Sequence, residues 1–321
     1  MVVQGTQQQP RTGVELLPEP VLHAVLLSAT THHNFVRHAS CCARVCSSWR
    51  QVVIEHAAAA YGQRAVAGPA SHRHQTLKLV CEALDACTRD GGVRFSIYNV
   101  PVGDDGGAAL ALALPRLPAP LEAIFLTNAR LTAAGLAPIA TALHDRVQRL
   151  HTIRVNGNVL GDAGMVSLSS MLPGALTKLY IGSTHCSDKG MVALAAALPL
   201  TQIELLDCYD NPAIGTPGWK ALGAAMQNLP HLSSISLTGC SGMGCTGVAA
   251  LAHGLQDALM LDTLVLMSCS IGDDGLRSLV AIVSACTALQ HLNVVRVTAL
   301  DRALVLLVYS STAMSLSCLS E

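Results

Sequence analysis

Leu150-His-Thr-Ile153-Arg-Val155-Asn-Gly-Asn158, followed by Gly164, Leu168 and Leu172, is one copy of a unit that recurs along most of the chain. The form L-x-x-L-x-L-x-x-(N/C/T) starts at Leu121, Leu150, Leu176, Leu200, Leu232, Leu261 and Leu289, in steps of 29, 26, 24, 32, 29 and 28 residues. A degenerate copy with Phe95, Ile97 and Val100 lies one period earlier. The units continue into a glycine with apolar residues four and eight positions on, from Gly106-Leu110-Leu114 to Gly275-Leu279-Val283. Self-similarity at this period marks a solenoid.

The chemistry of one unit explains its form. L-x-L alternates with period two, so both leucines face one side of a short strand. The glycine opens or turns into the next element without a Cβ penalty. Apolar residues at i, i+4 and i+8 line one stripe of a helix of two to three turns. Stacked units bury a continuous core, with parallel strands on the inner wall and helices outside. Small polar groups where the chain leaves the strand can bond the backbone of their own and the next turn; Asn158, Thr184, Cys208, Cys240 and Cys269 stand there. The array resembles the ribonuclease-inhibitor type of leucine-rich repeat, which implies an α/β solenoid over residues 92–309 with about eight repeats.

Residues between the buried strand positions point to the inner, concave wall: Ser96 and Tyr98, Phe125 and Thr127, Arg154 and Asn156, Tyr180, Glu204 and Leu206, Ser236 and Thr238, Val265 and Met267, and Asn293. The scaffold demands nothing specific of them. Tyr98, Phe125, Arg154, Tyr180, Glu204, Leu206, Val265 and Met267 are therefore the expected target-binding surface, unless they merely support cross-strand neighbours. Four extra residues around Cys208–Pro212 read as an inserted loop, and such insertions often lie on the binding side. Tyr209, Asp210 and Trp219 join the surface on that ground, or belong to a tolerated loop.

Composition agrees with a stacked aliphatic core: 51% hydrophobic, 3% aromatic and 13% charged. The net charge of -1 gives no sign of a nucleic-acid partner. Mean hydropathy is +0.43, yet no apolar run reaches the roughly 18–20 residues needed to span a membrane. Twelve cysteines without a secretory signal read as reduced thiols in the cytoplasm or nucleus.

Residues 1–15 are Gln-rich and expected to be disordered. Residues 16–56 read as three short helices: Leu17, Pro18, Val21, Leu22, Val25 and Leu26 in one run, a run resuming at Phe35, and Val45, Trp49, Val52 and Val53 in a third. The sequences L-P-x-x-V-L-x-x-V-L and V-C-x-x-W-R, which adds Cys46, resemble an F-box. That resemblance implies docking of Leu17, Pro18, Val21, Leu22, Val25, Leu26, Val45 and Trp49 on a Skp-type adaptor in a cullin–RING ubiquitin ligase. A plain N-terminal cap for the first repeat is the alternative. Residues 57–91 read as connecting helices, and residues 310–321 as a C-terminal tail.

Apparent catalytic or metal groups recur with the repeat and so belong to the scaffold. Asp104, Asp162 and Asp273 precede helices, where aspartate caps exposed N–H groups. His32, His33, Cys41, Cys42 and Cys46 match no zinc spacing. No phosphate loop, H-E-x-x-H or C-x-x-C is present, so neither enzyme chemistry nor a cofactor or metal is expected. Two function classes follow. One is a substrate receptor of an SCF-type ubiquitin ligase. The other is a stand-alone repeat protein that binds or inhibits a partner, or regulates a GTPase.

Overall fold

The computed structural model describes residues 94–114, 120–144, 147–255, 260–286 and 288–294. All lie within the unit Ala86–Glu321. The three-helix reading of residues 16–56, with Leu17 to Trp49, falls outside them, as do the connecting helices and the tail.

Eight strands form one parallel sheet in chain order: β1 Arg94–Tyr98, β2 Ala123–Thr127, β3 Thr152–Arg154, β4 Lys178–Tyr180, β5 Leu205–Asp207, β6 Ser234–Ser236, β7 Thr263–Val265 and β8 His291–Asn293. Between them run α1 Gly103–Ala113, α2 Ala133–Leu143, α3 Gly161–Ser170, α4 Asp188–Ala197, α5 Thr216–Met226, α6 Gly244–Leu255 and α7 Asp273–Ala285. Parallel neighbours need a crossover, and each helix supplies one. The two alternating strand positions are buried, as Phe95 and Ile97 in β1 or Ile124 and Leu126 in β2. The helical stripe buries Leu110 and Leu114, Ile139 and Leu143, Leu194 and Leu198, Leu222 and Met226, and Leu251 and Leu255. Each such side chain contributes about 1.5–3 kcal/mol on burial.

The fifth unit departs from the expected register. Leu179 of β4 pairs with Leu206, and Leu206 pairs with Ile235. The unit therefore begins at Ile203, which is buried, and Leu200 is 76% exposed at the end of a short 3-10 turn. From Leu176 to Ile203 is 27 residues and from Ile203 to Leu232 is 29, so no insertion exists. Leu206 was expected on the open wall; it lies fully buried in the core. A one-residue slip in pairing turns every strand side chain to the other face. Here the apolar run Leu205-Leu206 disguised the true alternation.

The polar ladder shifts with the register. Its members are Asn158, Thr184, Asn211, Cys240 and Cys269, with Asn211 in the place expected for Cys208. Asn158 Oδ1 accepts the N–H groups of Ala129 and Leu131 at 3.0 Å each, and its Nδ2 donates to the carbonyls of Leu126 and Val155. Asn211 repeats this with the N–H groups of Thr184 and Cys186 and the carbonyls of Ile181 and Cys208. Further along, thiols do part of this work. Cys240 Sγ donates to the Cys208 carbonyl at 3.3 Å and Cys269 Sγ to the Leu237 carbonyl at 3.0 Å. Burial pushes the Cys240 thiol up to about 12, so it stays protonated and able to donate.

Asp104, Asp162 and Asp188 are scaffold, but each caps the helix of the following repeat rather than its own. Asp104 in α1 accepts from the N–H and hydroxyl of Thr132, the residue before α2. Asp162 in α3 accepts from the N–H and hydroxyl of Ser187 and from the N–H of Gly190 at the start of α4. Asp188 in α4 accepts from the N–H groups of Gly215 and Gly218 at the start of α5. The recurrent glycine serves this contact. It lies in the first turn of the helix, and a Cβ on Gly218 would stand 2.9 Å from the Asp188 carboxylate. Desolvation pushes the Asp162 carboxyl up, but the hydrogen bonds from Ser187 and Gly190, with Lys189 nearby, outweigh it and hold the group below its ordinary value. A depressed carboxylate contributes stability above its unfolded pKa, and that contribution fades as pH falls through the folded one. Asp162→Asn is therefore expected to destabilise the chain at pH 7. The gap from wild type should close in urea titrations below about pH 4; a gap constant with pH would refute the ionic cap.

Candidate protein-binding surface

Backbone register lines up one side chain per strand on the face opposite the core. Along β1 to β8 these are Ser96, Phe125, Arg154, Tyr180, Asp207, Ser236, Val265 and Asn293. Two residues further along each chain come Tyr98, Thr127, Asn156, Gly182, Tyr209, Thr238 and Met267. The next residue bends the chain. Asn99, Asn128, Gly157, Ser183, Asp210, Gly239 and Ser268 all have φ between +50° and +77°. Asn, Asp and Gly tolerate this region best.

Most of the expected surface residues occupy this wall. Phe125, Arg154, Tyr180, Val265 and Met267 are half-buried on it, and Tyr98 is 59% exposed. Tyr209 belongs to the second row and not to an inserted loop. Asp210 is the fifth of the recurring turn residues, and its Oδ2 accepts from Ser183 Oγ at 2.9 Å. Glu204 is exposed one residue before β5. Its N–H donates to the Thr177 carbonyl. Trp219, by contrast, is buried in α5, with its Nε1–H donated to the Ile214 carbonyl at 3.0 Å.

The centre of the wall is a stack of a cation and aromatic rings. The Arg154 guanidinium lies 4.0 Å from the Tyr180 ring centre and 5.7 Å from that of Phe125. Such contacts are worth about 0.5–2 kcal/mol, the larger figure when desolvated. Asp207, hidden from the sequence reading by the register error, follows Tyr180 in the row. Burial pushes its carboxyl up, against the pull of the Tyr209 N–H, the Ser236 side chain and the Arg154 charge. Four side-chain atoms among the described residues are buried without a hydrogen-bond partner: Thr127 Oγ1, Arg154 Nε, Asn156 Oδ1 and Asn293 Oδ1. All four belong to residues of the two wall rows.

A solenoid of this kind is a binding scaffold in form, and the comparisons agree with the class. A model described as "Leucine Rich repeat" matches residues 259–280. The mouse (Mus musculus) Tonsoku-like protein is 32% identical over 167 residues, covering 48% of this chain and 12% of that protein. The pig (Sus scrofa) ribonuclease inhibitor is 29% identical over 194 residues, covering 60% of this chain and 37% of that protein. This chain therefore spans only a minor part of the length of these relatives. Among solved structures, the yeast Rad7–Elc1 complex contains a chain that aligns with a TM-score of 0.41 at 15% identity, over 68% of this chain and 67% of that one. The protein is an α/β solenoid built of leucine-rich repeats, similar in sequence to ribonuclease inhibitor. Among the described residues no helix is long and apolar enough to cross a membrane.

Proposed function

We propose that this protein is the substrate-recognition subunit of an SCF-type ubiquitin ligase, acting in the cytoplasm or nucleus. Residues 16–56 dock on a Skp-type adaptor, which bridges to the cullin, and the open wall of the repeats holds a target protein. The observation that carries this reading is the coexistence in one chain of the L-P-x-x-V-L and V-C-x-x-W-R segments with a repeat array whose free wall bears Tyr98, Phe125, Arg154 and Tyr180. Catalysis belongs to other subunits; this chain raises the effective concentration of a target lysine near the charged conjugating enzyme. The test is co-purification of the intact chain with a Skp-type adaptor. Trp49→Ala and Leu22→Ala are each expected to weaken capture at least about tenfold, as loss of a buried interface anchor does, with the circular dichroism of the repeats unchanged. Failure of the wild-type chain to bind the adaptor would refute the ligase reading.

The similarity to ribonuclease inhibitor over 194 residues favours a second reading, in which the repeats bind or inhibit a partner, or regulate a GTPase, without an adaptor. Both readings place the partner on the same wall, so adaptor capture separates them.

A further inference from the structure

The charges on the open wall and on the strand-start edge beside it are segregated along the sheet. Toward β1 stand Arg94, Arg154 and Lys178, while the one carboxylate there, Glu122, lies 3.8 Å from His151 on the neighbouring strand edge. Toward β7 stand Asp207 on the wall itself and Glu204 and Asp262 on the strand edge, one residue before β5 and β7, with Asp210 at the adjacent turn. At the boundary, Arg154 is held between the Phe125 and Tyr180 rings with its Nε unpartnered. Beside it, Thr127 and Asn156 are each 6% exposed and keep the unpartnered Oγ1 and Oδ1. Buried polar atoms without partners are costly, and native proteins rarely keep them without a reason. Here three of the four occur together, on β2, at the end of β3 and two residues past it, buried just beneath the wall, and one of them belongs to the ring-held Arg154 guanidinium.

We infer that the wall over β2–β4 anchors an acidic side chain of an extended protein segment, whose basic residues then fall on the carboxylates of β5–β7. The carboxylate pairs with the Arg154 guanidinium, which the two rings hold in place, so little side-chain freedom is lost on pairing. Asn156 Oδ1 accepts a backbone N–H of the segment, and Thr127 Oγ1 bonds its backbone. From β3 to β7 is four strand spacings, roughly 19 Å, or about six residues of extended chain. The occupant thus carries Asp or Glu and Lys or Arg about six residues apart. A uniformly basic segment would meet Arg154 and Lys178 with like charge, and a uniformly acidic one would meet Glu204, Asp207 and Asp262. This inference rests on the open wall being the target-binding face, a premise of both functional readings; it does not depend on the adaptor.

The test uses the full chain and three fluorescent ten-residue peptides, read by anisotropy at low salt. One has a Glu pair and a Lys pair about six residues apart, the second has Gln in place of Glu, and the third has Lys at all four positions. The first is expected to bind at least about tenfold more tightly than the others, the scale of one good charged contact. Arg154→Ala should erase the difference and Arg154→Lys should keep part of it, with the circular dichroism of the repeats at the assay temperature unchanged in both; the thermal midpoint of Arg154→Ala falls by a few degrees as its ring contacts are lost. Lys178→Glu should weaken the first peptide without affecting the fold. Equal binding of the Gln peptide, unchanged affinity in Arg154→Ala, or binding of none of the peptides would each overturn the inference. Capture of the adaptor would be unaffected in all three cases.

Discussion

Asn211→Ala is expected to remove roughly 3–5 kcal/mol of stability, near the upper end for a single substitution. The side chain is fully buried and has four close partners: the N–H groups of Thr184 and Cys186, and the carbonyls of Ile181 and Cys208. These belong to two consecutive repeats. An alanine leaves those backbone groups inside the protein with nothing to bond, which costs far more than the net worth of a hydrogen bond. Asn211→Cys should be milder, because thiols at Cys240 and Cys269 occupy the equivalent place and donate to a carbonyl of the preceding repeat. It still cannot accept the two N–H groups as a carboxamide does. Urea unfolding followed by circular dichroism checks both. Cys208→Ala trims a buried thiol but leaves all four bonds in place, the Cys208 backbone carbonyl included, so it should cost clearly less than Asn211→Ala. Indistinguishable unfolding of Asn211→Ala and wild type would refute the register.

Trp219→Ala should cost about 3–5 kcal/mol, the usual range for a large aromatic cut from a core. Trp219 is completely buried, and its indole packs against the first turn of α6, where a Cβ on Gly247 would come within 2.8 Å of Cδ1. Its N–H is satisfied by the Ile214 carbonyl just before α5. The indole therefore fills the space between two consecutive repeats and closes the loop that leads into its own helix. Trp219→Phe keeps most of the volume and gives up the hydrogen bond, so it should lose roughly 1–2 kcal/mol. Any loss of partner binding in Trp219→Ala should track loss of folded protein across a temperature series. Binding lost at a temperature where the variant is fully folded would put the indole back on the interaction surface.

The period, the strand positions and the helical stripe could be read from leucines alone, because burial on a repeating backbone leaves a repeating apolar signature. The wall residues Phe125, Arg154, Tyr180, Val265 and Met267 followed from simple alternation. The fifth unit could not be read that way. Leu200, Ile203, Leu205 and Leu206 offer two apolar alternations, and counting leucines favoured the wrong one. Polar residues held the better guide. The series Asn99, Asn128, Gly157, Ser183, Asp210, Gly239 and Ser268 needs a left-handed backbone at each member, and residue types that tolerate it are visible in the sequence. Aligning on Asp210-Asn211 would have placed Leu206 in the core and brought Asp207 onto the wall. The pairing of Arg154 with its two rings, and the reach of each aspartate into the next repeat, depend on inter-strand distances that no spacing along the chain encodes.

The aspartate reach has a mechanical side. Asp104, Asp162 and Asp188 each complete the helix start of the following repeat, while Asn158 and Asn211 complete the loop of the preceding one. The coils of β2–α2 and β4–α4 are thus clasped from both directions, and neither is chemically whole by itself. A break in either of them strips bonding partners from the coils on both sides, so a lesion there should loosen a run of neighbours at once instead of one segment.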